Sequence, residues 1–219
     1  MTDQLILKFP KNKVYLKEDF YVSSGNQEAY DFVNSWPKWI RKIVNIFGPS
    51  GSGKTHIASI LKSKTSTLEI MSNALNDKVF FEYKTKEALI IENLNEKTSE
   101  NLLFSLWNVA LQDNKYLLTT STKPISTYKF KLLDLRSRVS SCMSIGIKLP
   151  SDELISVILA KNFSDRQIQV EKKHIDYIIK RIDRSYEKIS QFISILDKYS
   201  LKKGSPFSLK LIKEVLKMI

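Results

Sequence analysis

The eight residues GPSGSGKT, Gly48 to Thr55, have the types and the spacing needed to hold a chain of phosphates. They fit G-x-x-x-x-G-K-[ST], with the short apolar run IVNIF before them and a segment of helical periodicity after. Glycines let a backbone wrap around phosphate oxygens, and N–H groups at a helix N-terminus offer partial positive charge. In such a loop Gly48, Pro49, Ser50, Gly51, Ser52 and Gly53 supply the backbone cradle. Lys54 reaches the β- and γ-phosphates, and Thr55 holds Mg²⁺ through its hydroxyl. The implied ligand is ADP or ATP with Mg²⁺. The competing reading, a glycine turn beside an incidental lysine, needs the whole pattern to arise by chance between a strand and a helix.

A phosphate loop works with a carboxylate at the end of a neighbouring strand, which orients Mg²⁺ and water. ALIIEN supplies Glu92 at that place, followed by Asn93. An amide cannot take a proton from water, so binding is expected while turnover by this chain is doubtful. TTSTKP closes the next strand, and Ser121 or Thr122 could hydrogen-bond the nucleotide or its water; a plain strand-to-loop cap is the alternative. LLDLRSRVSS places Arg136 and Arg138 on a short helix distal to the phosphate loop. Six of the 35 basic residues are arginines, so a pair here stands out as a candidate for reaching a neighbour's nucleotide, against surface ion pairs as the bland reading.

The elements that must position these groups follow from periodicity. IVNIF, TLEIM, KVFF, ALII and YLLTTS read as strands, and Lys54 to Lys64 and SENLLFSLWNVALQDN as helices, the latter with Ser99 as a cap. Strands alternating with helices predict an α/β core with a parallel sheet. Beyond Pro150 four segments show helical spacing with no strand between them: SDELISVILAKNF, KKHIDYIIKRID, SYEKISQFISILDKYS and SLKLIKEVLKMI. The expected division is a tail over residues 1–11, an α/β nucleotide-binding core over 12–150 and a small all-α lid over 151–219.

Composition narrows the classes. No apolar run approaches the roughly 20 residues of a membrane span, and no signal-peptide pattern opens the chain. One cysteine, Cys142, excludes an internal disulfide framework and multi-cysteine metal sites. A cytoplasmic protein is expected. The net charge is +12, yet the lysines are spread along the chain, so charge alone is weak support for a nucleic-acid surface.

The order of these motifs resembles the AAA+ P-loop domain of the bacterial replication initiator DnaA and, more closely, the DnaA-related regulators of the Hda type. FYVSSGNQEAYDFVNSWP is similar to the family's adenine-side segment, with Phe20, Val22 and Asn26 at matching places. FGPSGSGKTHIAS is close to its phosphate loop, including His56, and LLDLRSRV to its arginine-finger element, with Arg138 at the finger position. SDELISVILAKNFSDRQIQV and IDRSYEKISQFISILDKYS resemble the start and sensor region of its lid. Two positions depart: Glu92-Asn93 stands for an acidic pair, and Glu187 falls at the sensor arginine, with Arg184 and Lys188 as near substitutes.

The apolar tail stretch QLILKF resembles the clamp-binding peptide of that group, with Gln4, Leu5, Leu7 and Phe9 as the contacts; a strand folded on the core is the alternative. The resemblance implies a protein that docks on the DNA polymerase sliding clamp and, through Arg138 acting in trans, promotes hydrolysis of ATP held by DnaA. It implies no sequence-specific DNA binding, since no part of the chain resembles DnaA's DNA-reading domain, and allows self-association. The rival expectation is an autonomous P-loop ATPase, a replication loader or partition factor.

Overall fold

Successive side chains of the five short strands point to opposite faces, and apolar residues on both faces build a sheet covered on both sides. The computed structural model describes residues 20–166, 168, 170–203 and 208–219. The tail peptide with Gln4, Leu5, Leu7 and Phe9 lies outside the described residues. The strands are β1 (Ile43–Phe47), β2 (Thr67–Met71), β3 (Ala88–Leu94), β4 (Tyr116–Ser121) and β5 (Met143–Gly146), in the order β2-β3-β4-β1-β5. Every pairing is parallel. The chain leaves β1 for the helix Lys54–Lys62 on one face of the sheet and leaves the adjacent β4 for the helix Leu133–Ser140 on the other, so their carboxyl ends part. A crevice opens there at the carboxyl edge, where ligands of open α/β sheets are held.

Along β3, Leu89 and Ile91 face one side and Ala88 and Ile90 the other; Leu117 and Leu118 divide the same way on β4. One face packs on α3 (Lys78–Lys84), α4 (Glu100–Gln112) and α5 (Leu133–Ser140) through Val79, Tyr83, Leu103, Leu106, Trp107 and Leu135. The other packs on α1 (Gln27–Asn34) and α2 (Lys54–Lys62) through Ala29, Val33, Ile57, Ala58 and Leu61. Truncating a side chain such as Ile90, fully buried in this layer, costs about 2–5 kcal/mol.

Two expectations are corrected. KVFF is not a strand: it opens α3, with Val79 and Tyr83 one helical turn apart on the buried side and Phe81 73% exposed. Thr67–Met71 pairs directly with β3, so that segment does not lie between them in the sheet. A four-residue apolar run is ambiguous between strand and helix, and here the i, i+4 spacing decides. β3 also runs past Ile91 to Leu94 through a bulge, where Ile91 pairs with Thr119 and Leu94 with Ser121.

The C-terminal segments are helical: α6 (Asp152–Ser164), α7 (Lys172–Ile179), α8 (Tyr186–Lys203) and α9 (Leu209–Leu216). They bury Ile155, Leu159, Phe163, Phe192, Leu196 and Ile212 in a core of their own. Serines start three helices by accepting a backbone N–H: Ser99 from Leu102, Ser151 from Leu154 and Ser208 from Leu211. Among the described residues no helix is long and apolar enough to cross a membrane.

Candidate nucleotide-binding site

The phosphate loop leaves the carboxyl end of β1 and enters α2 at Lys54. Its glycines are needed where the backbone requires them: Gly51 and Gly53 have φ of +77° and +89°, the left-handed region that side chains disfavour. Gly48 is held by proximity instead, since a Cβ there would lie 2.8 Å from the Ile147 carbonyl. Its N–H donates to the Ser121 carbonyl at 3.1 Å, which ties the loop to the end of β4.

Lys54 is 7% exposed, and its Nζ donates to the Gly48 and Pro49 carbonyls, both at 2.8 Å. Burial pulls its pKa below the usual lysine range, while the charge of Glu92 pulls the other way. Thr55 Oγ1 donates to Glu92 Oε2 at 2.7 Å. Glu92 is 3% exposed, and burial raises its carboxyl above the usual range against the Thr55 hydrogen bond. Its other oxygen, Oε1, is buried without a hydrogen-bond partner, as is Ser52 Oγ. An unsatisfied buried carboxylate oxygen beside a threonine hydroxyl is a donor set suited to a hard divalent cation such as Mg²⁺. Thr55 and Glu92 are the residues that would hold such an ion, which would supply positive charge to a bound polyphosphate.

Asn93 sits in the β3 bulge with φ of +56° and is exposed. Its N–H donates to Thr120 Oγ1 at 3.0 Å, and its carbonyl accepts from Ser72 and Asn95. The residue after Glu92 therefore presents an amide rather than an acid at the edge of the crevice. Thr122 is exposed one residue past β4. Ser121 is buried and engaged, with Oγ donating to the Lys123 carbonyl at 2.7 Å.

The residues expected on the adenine side come from the N-terminal segment, and Phe20 meets the loop. Phe20 stacks on Tyr30 with ring centroids 5.6 Å apart, meets His56 edge-on at 5.1 Å, and lies over Gly53. Asn26 is buried and shapes its own turn, accepting from Ser23 N and donating to the Tyr21 carbonyl. Phe20 and Asn26 line a cavity of about 490 Å³ together with Gly51, Ser52 and Gly53 and with α6 and α8. Val22 is half-buried and outside its walls.

Sequence reasoning missed Tyr186, which forms another wall of this cavity. A Cβ on Gly51 would lie 3.1 Å from Tyr186 Cβ, so the first turn of α8 rests on the phosphate loop. The Tyr186 hydroxyl donates to the Lys148 carbonyl, and burial pushes its pKa up to about 12. A tyrosine opening an amphipathic helix carries no sequence signal for such a contact.

The candidate sensor cations do not gather at the cavity. Arg184, expected on the nucleotide, forks onto both Asp152 oxygens at 2.9 and 3.0 Å with its side chain 64% exposed. Lys188 donates to the Ile219 carbonyl, and Glu187 is exposed and accepts from Gln191. Arg136 and Arg138 are exposed on α5, and among the described residues neither guanidinium makes a hydrogen bond or ion pair. Arg138 borders a groove with Arg41, Lys42 and Cys142, at the amino ends of β1 and β5. That is the sheet edge opposite the phosphate loop.

Comparison with known proteins agrees with this architecture. No protein-family model matches the chain. The chromosomal replication initiator protein DnaA of Borreliella burgdorferi is 23% identical over 233 residues, which cover 94% of this chain and 48% of that protein. The chain thus spans about half the length of the curated relatives it matches. Domain III of the Thermotoga maritima replication initiation protein DnaA superimposes with a TM-score of 0.75 at 22% identity, covering 95% of this chain and 98% of that one. AMPPCP-bound DnaA from Aquifex aeolicus superimposes with a TM-score of 0.68 at 17% identity, over 84% of this chain and 65% of that one. The fold is that of DnaA domain III, and the sequence is similar to DnaA over 94% of the chain.

Proposed function

We propose that this chain is a DnaA-related AAA+ replication protein that binds ADP or ATP with Mg²⁺ and acts as a regulator of the Hda type. Nucleotide binding rests on one observation above all: a buried Lys54 ammonium and a Thr55–Glu92 pair with a free carboxylate oxygen stand at one phosphate loop. The AMPPCP bound by a DnaA of the same fold supports the assignment. In this reading residues 1–11 dock on the sliding clamp, residues 12–150 bind nucleotide and residues 151–219 form a lid, in a cytoplasmic protein.

The regulatory part follows from where the charged groups stand. Asn93 cannot act as a base, so this chain's residues hold a nucleotide without an acid poised to activate water. Arg138 stands at the sheet edge opposite its own phosphate loop, which supports a role at a partner's site. Inserted towards the ATP held by DnaA, its guanidinium stabilises the negative charge that grows on the transferring phosphoryl group. DnaA left with ADP would not start a further round of replication. A gel-filtration assay of this chain with clamp and DnaA, with and without ADP, tests the reading; absence of both complexes would overturn it.

Turnover separates this reading from an autonomous ATPase. The purified protein alone is expected to hydrolyse ATP at well under one per minute. Asn93→Asp, at a left-handed position that aspartate tolerates, is expected to raise the rate in a coupled phosphate-release assay. Many turnovers per minute by the unmodified chain would favour the loader or partition factor.

The tail gives a second test. Two leucines and a phenylalanine buried on the clamp contribute roughly 1.5–3 kcal/mol each, offset in part by ordering the peptide, so micromolar affinity is expected. Replacing Gln4, Leu5 and Leu7 with alanine should abolish clamp binding by calorimetry while leaving the melting temperature unchanged. A lowered melting temperature would place the tail in the core instead.

A further inference from the structure

Asn45 is wholly buried in the middle of β1, flanked by the apolar Val44 and Ile46. A primary amide there gives up water at both polar atoms, so each must be satisfied within the fold. Its Oδ1 accepts from the Ile125 N–H at 3.0 Å. Its Nδ2 donates to Ser121 Oγ at 2.9 Å and to Thr119 Oγ1 at 3.0 Å. A backbone N–H can only donate, so the Ile125 contact settles which end of the amide is oxygen. Ser121 Oγ donates to the Lys123 carbonyl at 2.7 Å, with a longer 3.3 Å approach to Asn45 Oδ1, and accepts from the Asn45 amide at 2.9 Å.

All three partners lie within the segment from Thr119 to Ile125, which closes β4 and turns beside the phosphate loop. The same segment is tied to Gly48 N through the Ser121 carbonyl and to Asn93 N through Thr120 Oγ1. Asn45 grips it on both sides of Thr122, at Ser121 and at Ile125. Between these anchors Thr122 is left exposed. One buried side chain thus fixes both flanks of the exposed Thr122, in a segment bonded to the phosphate loop through Gly48 and to the bulge through Asn93.

We propose that Asn45 is a positioning residue that holds Thr122 against the terminal phosphate, so that the site tells a nucleoside triphosphate from a diphosphate. The proposal rests on the nucleotide-binding reading of Gly48–Thr55. A leucine at position 45 would fill a similar volume between the same neighbours, but it would release the Ile125 N–H and the Ser121 hydroxyl, and the loop would lose its fixed height over the crevice.

The test is calorimetric titration of the full chain with ADP and with a non-hydrolysable ATP analogue, comparing Asn45→Leu, Thr122→Ala and the double variant. Each single change is expected to lower the triphosphate-to-diphosphate affinity ratio about tenfold, the effect of one lost hydrogen bond to a charged oxygen. The double variant should lower it no further, because both changes remove the same contact. An equal fall in both affinities with Asn45→Leu would reduce Asn45 to a structural residue and overturn the proposal. So would a double variant whose losses multiply. If Asn45→Leu does not fold, Ser121→Ala, which removes one of the three anchors, must lower the ratio in the same direction; an unchanged ratio overturns the proposal. Failure of the unmodified chain to bind either nucleotide would instead overturn the nucleotide-binding reading, and the proposal with it.

Discussion

Replacing Lys54 with alanine is expected to weaken ADP and ATP binding at least about a hundredfold while shifting the melting temperature by no more than a few degrees. The ammonium is 7% exposed and held by two loop carbonyls, so it is aimed before any ligand arrives. Each hydrogen bond from a charged donor to a phosphate oxygen contributes roughly 1.5–3 kcal/mol, and the lysine makes its contacts where the charge of the polyphosphate is densest. Stability should change little for two opposed reasons. Losing Lys54 leaves the Gly48 and Pro49 carbonyls without that donor, but Pro49 is only half-buried and water can reach it. The same change also removes a buried cation whose pKa is already lowered by desolvation, which offsets the loss. For a chain of this size 1 kcal/mol corresponds to about 2–4 °C. Calorimetry and thermal melting check the two halves separately. Equal affinity in the variant and the original chain would sink the assignment of the loop.

What was legible in the sequence was whatever local chemistry dictates. The phosphate loop could be read residue by residue, because two of its glycines answer to backbone angles that other residues avoid. Glu92 could be placed because the apolar run ALII had to be a buried strand and the first carboxylate after it had to stand at its end. The four C-terminal helices followed from their 3.6-residue spacing. Lys78–Lys84 was misread because four apolar residues have no period long enough to choose between strand and helix. The edge strand Met143–Gly146 escaped notice because MSIG is short and carries no apolar run.

The contacts made across the fold were not legible at all. Nothing near Tyr186 points to Gly51, and nothing near Arg184 points to Asp152 rather than to a phosphate. Asn45 reads as a blemish in an apolar run until its three partners, more than 70 residues away, are brought beside it by the pairing of β1 with β4. Polar residues in strands are where long-range structure adds most to a sequence reading, because their cost is certain and their compensation is distant.

Arg138→Ala is expected to leave nucleotide binding by this chain unchanged and to remove its stimulation of ATP hydrolysis on DnaA, by about a thousandfold or more as for other inserted arginines. The first half follows from position: Arg138 stands at the amino edge of the sheet with Arg41 and Lys42, while the phosphate loop leaves the carboxyl edge, so the guanidinium cannot reach its own site. The second half follows from chemistry. A guanidinium that is exposed and uncommitted retains its full forked donor set for a partner's phosphoryl oxygens. Such contacts strengthen as charge moves in the transition state, so the rate should fall far more than the affinity of the complex. Arg138→Lys keeps the charge and loses the fork, and should recover only a small part of the rate. Single-turnover hydrolysis of ATP preloaded on DnaA, with clamp present, measures the effect without interference from nucleotide exchange. Arg136 is the control on the same helix, two positions nearer the loop that precedes α5 and bordering a different groove, with Tyr128 and Phe130. Full stimulation by Arg138→Ala with loss in Arg136→Ala would transfer the role to Arg136, and full stimulation by both variants would end the finger hypothesis for this chain.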